Sequence, residues 1–175
     1  MQRPNVLRRD VIHRGYVSIK QDLLSKESGE ELLYTHFSLP SDAVVILAET
    51  HDKKFILNRE YRHPTESHLL GCPGGRLEKD EEPIDGARRE LLEETGYLAA
   101  HLELMGVCYP FAALCNQKIY MVLAKELRFM GQSLDPFEYI QTEIKSEAEI
   151  MQEIQAGAIL DALLLSALKF RTLKI

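Results

Sequence analysis

Hydrophobic and polar residues alternate along the first third of the chain in a way that is typical of β-strands. The segments RGYVSIKQDLL (14–24) and EELLYTHFSL (30–39) flank a turn-like SKESGE, and together they predict a hairpin or meander. The run DAVVILAE (42–49) is almost entirely apolar and rich in β-branched residues, which predicts a buried strand. A further predicted strand, KKFILNREY (53–61), follows after a tight turn.

The hydrophobic period changes to that of a helix over residues 83–95. Ile84, Ala87 and Leu91 repeat at helical spacing and form one apolar stripe. Pro83 at the start of this range and Gly96 just after its end agree with a helix that spans residues 83–95. The sequence therefore predicts an amphipathic helix in the middle of the chain.

The second half of the chain continues with strands and ends with helices. Segments with the composition of strands are LELMGVCY (102–109), KIYMVLAKEL (118–127) and FEYIQTEI (137–144). Ser146 and Glu149 have the spacing of a capping box, which predicts a helix, and a last helix is expected around residues 161–170. The whole pattern predicts an α/β fold, in which helices cover both faces of a mixed sheet.

Composition and charge narrow the class of protein. A length of 175 residues suits one domain, and a formal net charge of −6 disfavours nucleic acid as a partner, because phosphate binding needs a basic surface. Three scattered cysteines without zinc-like spacing favour a reducing, cytoplasmic compartment. No apolar run reaches the length of a membrane span, so a membrane partner is not expected.

The central helix carries a concentration of carboxylates. Glu90, Glu93 and Glu94 lie three or four residues apart, so they share a helix face and are expected to point out of the core. One interpretation is a solvated acidic face. The other is a site for a hard divalent cation, because Mg²⁺ and Mn²⁺ prefer oxygen ligands. Gly74 and Gly75 would let a loop backbone approach the helix and offer a carbonyl oxygen.

The spacing of these residues resembles the Nudix box, G-x5-E-x7-R-E-U-x-E-E-x-G-U, in which U is an aliphatic residue. The chain reads Gly75, five residues, Glu81, seven residues, Arg89-Glu90-Leu91, one residue, Glu93-Glu94, one residue and Gly96-Tyr97. Every fixed position matches, and only the last position, a tyrosine, departs from an aliphatic residue. This match favours the metal site over the solvated acidic face.

The resemblance to Nudix hydrolases implies a fold and a chemistry. The implied fold is an α/β/α sandwich with a mixed sheet, to which this chain adds N-terminal antiparallel strands. The box glutamates of the family bind divalent ions, so the implied ligands of Mg²⁺, with Mn²⁺ possible, are Glu90, Glu93, Glu94 and the backbone carbonyl of Gly74. Arg89 is expected at the catalytic site, where it pairs with a box carboxylate and holds it in place.

The segment before the box resembles the ADP-ribose pyrophosphatase branch of the family. In that branch a strand ends in Gln/Glu-x-Arg and is followed by Glu-Leu-Pro-Ala-Gly. Arg62 matches the arginine, so it is either a residue that grips a substrate phosphate or part of a surface salt bridge. Three positions depart from the pattern, because the expected Glu, Leu and a downstream Pro are Gly71, Cys72 and Ala112. These departures favour several nucleoside diphosphate sugars over strict specificity for ADP-ribose.

The strand-rich region before the box resembles the dimerising part of the same branch. It implies a region at residues 1–42 that is used in dimerisation and a Nudix hydrolase domain at residues 43–175, within one compact unit overall. In the implied homodimer, Arg14 or Tyr16 of one subunit contacts the nucleotide of the other.

The resemblance also implies a general base outside the box, a glutamate on a loop between the last strands. Glu138 is the preferred candidate in the matching segment, because its longer side chain reaches further. Asp135 is the alternative in the same loop, and Glu93 is the alternative within the box. Glu138 would otherwise be an ordinary carboxylate at a strand edge.

The implied function is the divalent-metal-dependent hydrolysis of the pyrophosphate bond of nucleoside diphosphate sugars, meaning ADP-ribose and related compounds. The products are a nucleoside monophosphate and a sugar phosphate. Two alternatives stay open. One is a Nudix hydrolase of nucleoside triphosphates or dinucleoside polyphosphates, and the other is a nucleotide-sensing domain without catalysis.

Overall fold

The internal contacts of the chain divide it into two units. The computed structural model describes residues 3–158 and 160–173. One unit combines the described residues up to Asp42 with Tyr109–Lys118, and the other combines Ala43–Cys108 with the described residues from Ile119 onward. Tyr109–Lys118 lies within the predicted domain of residues 43–175 but groups with the first unit. One contact that holds it there is the hydrogen bond from the Phe37 N–H to the Leu114 carbonyl at 2.9 Å.

The first unit is built on an antiparallel sheet in the order β1-β2-β3. Its strands are β1 (Asn5–His13), β2 (Ser18–Ser25) and β3 (Glu31–Ser38). The predicted meander is confirmed for β2 and β3. The sequence pattern did not predict β1, because register irregularities between Val6 and Arg8 and between Val11 and His13 interrupt its alternation.

The second unit contains a six-stranded mixed sheet in the described part of the chain. Its strands are β4 (Ala43–Glu49), β5 (Phe55–Arg62), β6 (Ser67–Gly71), β7 (Tyr97–Cys108), β8 (Ile119–Phe129) and β9 (Ile140–Lys145). They lie in the order β6-β5-β4-β8-β7, and β9 pairs with β5 on the side opposite β6. Strands β4 and β8 are parallel, whereas the other pairs are antiparallel.

Helices cover both faces of this sheet. They are α1 (Pro83–Thr95), α2 (Glu147–Gln155) and α3 (Ala162–Leu173), and a short 3₁₀ helix, His63–Thr65, joins β5 to β6. Leu91 of α1 packs with Val44 on one face, while Ile150 of α2 and Leu168 of α3 pack with Leu47 on the other. The apolar sequence of β4 thus serves both layers. The predicted α/β/α sandwich with a mixed sheet is confirmed.

The helix ends follow the sequence signals. Helix α1 begins at Pro83 and ends before Gly96, whose φ of 76° lets its N–H donate to the Leu92 carbonyl at 2.8 Å. At the start of α2, Ser146 Oγ accepts from the Glu149 N–H, and the Glu149 carboxylate accepts from the Ser146 N–H. The predicted start and end of α1 and the predicted start of α2 are therefore confirmed.

Some strand boundaries differ from the prediction. The strand predicted at residues 137–144 begins at Ile140, because the Glu138 N–H donates to the Asp135 carbonyl at 3.0 Å and closes a turn. Strand β6 has only five residues and was not predicted, since so short a run leaves little pattern. Within the described residues, no helix is both long and apolar enough to cross a membrane.

Candidate functional site

The acidic face of α1 is enclosed by the rest of the second unit. Glu90 and Glu94 are 9% and 5% exposed, so the expectation that these side chains point out of the core is wrong for both. The loop that follows β6 and the strand β5 pack over this part of the helix and cause the burial. Glu93 keeps a side chain that is 46% exposed.

The loop after β6 is held against β4. The Val44 N–H donates to the Gly75 carbonyl and the Ile46 N–H donates to the Pro73 carbonyl, both at 2.9 Å. Successive carbonyls of an extended chain alternate in direction, so the Gly74 carbonyl faces away from β4. A side chain is excluded at Gly74, because φ is +153° and a Cβ would lie 2.3 Å from the Val44 oxygen.

Glu94 accepts two hydrogen bonds on one oxygen. Its Oε2 accepts from the Gly74 N–H at 2.8 Å and from Asn58 Nδ2 at 2.9 Å. Burial raises the pKa of Glu94 to about 8, the Gly74 hydrogen bond opposes this rise, and the charges of neighbouring carboxylates add to it. The ionised form of Glu94 is therefore stabilised by any positive charge that comes close.

Arg89 joins the other carboxylates of the helix and its preceding loop. Its Nε and Nη2 donate to the two oxygens of Glu81 at 2.9 Å each, and its Nη1 donates to Glu90 Oε1 at 2.8 Å and to Glu93 Oε2 at 3.2 Å. Burial raises the pKa of Glu90, whereas Arg89 lowers it. A Cβ at Gly75 would lie 2.4 Å from Glu90 Oε1, so the loop approaches this carboxylate closely.

Glu60 belongs to the same acidic region, and it is a site residue that was not predicted from the sequence. Its Oε1 accepts from Arg62 Nη1 at 2.7 Å. Glu60 lies two residues after Asn58 on β5, so the two side chains point to the same face of the strand. Burial raises the pKa of Glu60, Arg62 lowers it, and the charges of Glu138 and Asp161 raise it further. Glu60 occupies the Gln/Glu position of the Gln/Glu-x-Arg segment that ends in Arg62, and this position is the signal that predicts it.

Glu138 lies near the carboxylates that α1 and β5 contribute to the site, of which Glu90 and Glu94 are buried. Its charge raises the pKa values of Glu60, Glu90 and Glu94, and an effect on all three requires proximity. Its Oε2 accepts from the Asp135 N–H at 2.9 Å, so the side chain folds back over its own turn. The loop of Glu138 thus borders the site formed by α1 and β5.

Hydrogen bonds at both ends anchor this loop beside the site. The Ser133 N–H donates to the Glu93 carbonyl at 2.9 Å, near the end of α1. At the other end, the Tyr61 N–H donates to the Tyr139 carbonyl at 3.2 Å. The segment that carries Glu138 is therefore fixed at its flanks, to α1 and to β5.

Arg14 and Tyr16 lie in the first unit, between β1 and β2, and both are exposed. Ala112 also belongs to the first unit. A contact of Arg14 or Tyr16 with substrate stays a prediction.

The donor set of the site suits a hard divalent cation. Among the described residues, no three His, Cys, Asp or Glu side chains are already arranged around a metal position. The candidate ligands are nevertheless all oxygens, namely the carboxylates of Glu90, Glu93 and Glu94 and the carbonyl of Gly74. Glu93 raises the pKa of Glu90, and Glu90 raises that of Glu94, so a cation would relieve a repulsion that the fold maintains.

Comparison with known proteins identifies one family and several relatives that are similar to this chain. A family model described as the NUDIX domain matches residues 39–144. An ADP-ribose pyrophosphatase of Bacillus subtilis (strain 168) is 31% identical over 134 residues, which cover 75% of this chain and 72% of the relative. The methanol dehydrogenase activator of Bacillus methanolicus is 30% identical with the same coverage, 75% and 72%. A crystal structure of an ADP compounds hydrolase is 25% identical, with a TM-score of 0.88 over 98% of this chain and 94% of that one.

The buried position of Glu94 predicts a pH-dependent response to divalent cations. Without metal, its contribution to the free energy of unfolding should fall as pH rises from its ordinary pKa of 4.5 to about 8, because the folded carboxyl holds a proton that the unfolded chain has released. A cation that binds the ionised carboxylate should therefore raise Tm more at about pH 8 than at about pH 6. Thermal unfolding with and without Mn²⁺ at the two pH values measures this difference.

The control for this prediction is Asp85→Asn, which removes an exposed carboxylate from the same helix. Glu94→Gln should lose most of the metal-induced rise in Tm, whereas Asp85→Asn should keep it. Equal rises in Glu94→Gln and the wild type at both pH values would contradict the assignment of Glu94 as a ligand.

Proposed function

Because the chain belongs to the NUDIX family, we propose that it is a divalent-metal-dependent hydrolase that cleaves the pyrophosphate bond of nucleoside diphosphate sugars, ADP-ribose among them. The reaction adds one water across a phosphorus–oxygen bond of the bridging oxygen and gives a nucleoside monophosphate and a sugar phosphate. The observation that carries this proposal is the enclosure of Glu90 and Glu94 beside the Gly74 backbone, where the charges of Glu60 and Glu138 act on Glu94. Arg62 pairs with Glu60.

The carboxylates of Glu90, Glu93 and Glu94 and the Gly74 carbonyl would hold Mg²⁺ or Mn²⁺. When bound, the ion neutralises the diphosphate and polarises phosphorus. Arg89 keeps Glu90 and Glu93 oriented from the side of the helix, as its hydrogen bonds to both suggest, and it is a positioning residue in this proposal.

Arg62 is the proposed contact with a substrate phosphate. Its side chain is 43% exposed and pairs with Glu60, whose carboxylate has a raised pKa through burial. Such an arginine can exchange one carboxylate partner for a phosphate with little change in its position. The salt bridge with Glu60 therefore supports the orientation of Arg62 in the free protein.

The names of the relatives support the substrate class. One is an ADP-ribose pyrophosphatase, and the structural neighbour is an ADP compounds hydrolase. The box is intact at every charged position, which favours catalysis over a sensing domain that has lost it. Nucleoside triphosphates and dinucleoside polyphosphates are the alternative substrates, and they belong in the same assay.

The substrate proposal predicts hydrolysis of ADP-ribose and of other nucleoside diphosphate sugars with Mg²⁺. Released phosphomonoester measures turnover across a panel that also contains nucleoside triphosphates and dinucleoside polyphosphates. Glu94→Gln should lower kcat/KM by more than about 100-fold, since loss of a group that only supports a metal ligand already costs roughly 10–100-fold. Asp85→Asn should keep activity.

Two results would count against the substrate proposal. One is faster turnover of every triphosphate than of any nucleoside diphosphate sugar. The other is near wild-type turnover of Glu94→Gln at saturating Mg²⁺. A preference for ADP-ribose above about 100-fold over every other sugar nucleotide would contradict the broad specificity that Gly71 and Ala112 favour.

Glu138 is the proposed general base for the attacking water. Its charge raises the pKa values of Glu60, Glu90 and Glu94, and it is the loop carboxylate among the main causes of all three shifts. Glu138→Gln should lower kcat by ~10²–10⁴ with little effect on Mn²⁺ affinity, the usual range for loss of a general base. Asp135→Asn is the matched control and should lower kcat only slightly. A large loss of kcat in Asp135→Asn with a small loss in Glu138→Gln would assign the role to Asp135. Small losses of kcat in both variants would assign it to Glu93.

A homodimer is the proposed assembly, in which Arg14 or Tyr16 reaches the nucleotide of the partner subunit. Apolar side chains on the first sheet support it, because each of these is more than half exposed: Val6, Leu7, Ile12, Leu32 and Leu33. Neighbouring residues on a strand point to opposite faces, so both faces of this sheet offer apolar surface to a second copy.

Light scattering at micromolar concentration should therefore give the mass of a dimer. Leu33→Glu should shift the protein toward the monomer, because a buried unpaired charge opposes association, and Ser28→Glu in the β2–β3 turn is the matched control. Tyr16→Ala should raise KM with kcat nearly unchanged. A wild-type monomer under these conditions would refute the assembly.

We also propose a cytoplasmic location. Cys72, Cys108 and Cys115 are free, which agrees with a reducing compartment.

A further inference from the structure

Asn58 is a buried polar residue within an apolar strand. It follows Phe55, Ile56 and Leu57 on β5 and is itself 1% exposed. Its Nδ2 donates to Glu94 Oε2, but its Oδ1 has no hydrogen-bond partner in the protein. Burial of a polar atom without a partner is costly, so the position requires a physical reason.

A second buried polar atom of the same kind lies directly opposite Asn58. Thr142 on β9 is its partner in the strand register, and Thr142 Oγ1 also lacks a hydrogen-bond partner. In residues 3–158 and 160–173, these are the two buried side-chain polar atoms in that condition. Directly opposite residues share a face of the sheet, and Ile56, two residues before Asn58, packs with Leu91 of α1. Both polar atoms therefore lie on the face of the sheet that α1 covers, the face from which Asn58 donates to Glu94.

We propose that Asn58 and Thr142, joined by a buried water, form a support that fixes the Glu94 carboxylate for a divalent cation. Asn58 is then a positioning residue, and Thr142 acts through it. The inference rests on the metal-dependent function proposed above for this site. A water that donates to Asn58 Oδ1 and bonds to the Thr142 hydroxyl satisfies both atoms, as buried waters commonly do for otherwise unpaired groups.

The amide of Asn58 has two different ends, and only one of them suits Glu94. An ionised carboxylate is stabilised by the Nδ2 donor and repelled by the Oδ1 acceptor. A partner for Oδ1 on the side of Thr142 keeps the amide in the favourable orientation. Because Asn58 Nδ2 and the Gly74 N–H both act on Oε2, the carboxylate cannot rotate freely, and its Oε1 is left for the cation.

The support is tested by the affinity of the substrate-free protein for Mn²⁺, measured as free Mn²⁺ by electron paramagnetic resonance. Thr142→Val keeps the shape of the side chain and removes the hydroxyl, and it should weaken Mn²⁺ binding by about 10-fold, within the range found when a partner of a metal ligand is lost. Thr142→Ser retains the hydroxyl and should stay within about 2-fold of the wild type. Asn58→Leu should weaken binding by roughly 10–100-fold.

Urea unfolding of the same variants separates positioning from simple packing. A hydroxyl with no partner is costly, so a packing role predicts that Thr142→Val is neutral or stabilising and leaves Mn²⁺ affinity unchanged. That result would overturn the inference. A crystal structure should also show a water between Asn58 Oδ1 and Thr142 Oγ1, and a dry contact there would overturn it as well.

Failure of this inference and failure of the proposed function give different results. Wild-type protein that binds Mn²⁺ and hydrolyses no nucleoside diphosphate sugar would refute the substrate, while a loss of Mn²⁺ affinity in Thr142→Val would still support the positioning role. Wild-type hydrolysis of ADP-ribose with unchanged Mn²⁺ affinity in Thr142→Val and Asn58→Leu would refute the positioning role alone.

Discussion

Burial of like-charged carboxylates on one helix is the constraint on which the second unit depends. Removing an ionised carboxylate from water is expensive unless donors or cations surround it. Glu94 receives donors from Gly74 and Asn58, while Glu90 receives Arg89. These supports come from a loop, a strand and the helix itself, so the site exists only when the sandwich has assembled. The remaining repulsion is what a divalent cation relieves.

The apolar face of α1 fixes the position of the carboxylates by packing against the sheet. Leu91 is fully buried against the sheet, one residue from Glu90, so the helix cannot move away from β4 and β5 without opening the core. The glycines of the loop after β6 then let the backbone approach within hydrogen-bond reach of Glu94. The positions of the carboxylates are therefore defined by rigid elements. The loop of Glu138, which is hydrogen-bonded to α1 and β5 at its ends, borders these carboxylates.

Local signals were predictable from the sequence, whereas long-range contacts were not. Helix α1 and its end at Gly96 follow from period and capping, and the pairing of Arg89 with box carboxylates follows from the resemblance. The burial of Glu90 and Glu94 was predicted wrongly, because a helix wheel does not show what covers each face. Asn58 and Thr142 come together only through the pairing of β5 with β9, which no local pattern encodes. Site residues beyond the family motif depend on such tertiary contacts.

The central claim is that the enclosed carboxylates hold a cation that binds a diphosphate. Anomalous diffraction from a crystal containing Mn²⁺ and a non-hydrolysable ADP-ribose analogue tests it most directly. The account predicts an anomalous peak at about the distance of a direct oxygen bond, roughly 2.0–2.3 Å, from Glu90, Glu94 and the Gly74 carbonyl, with the diphosphate on the same ion. An analogue bound without a peak at these residues, or a peak held by other side chains, would contradict the account.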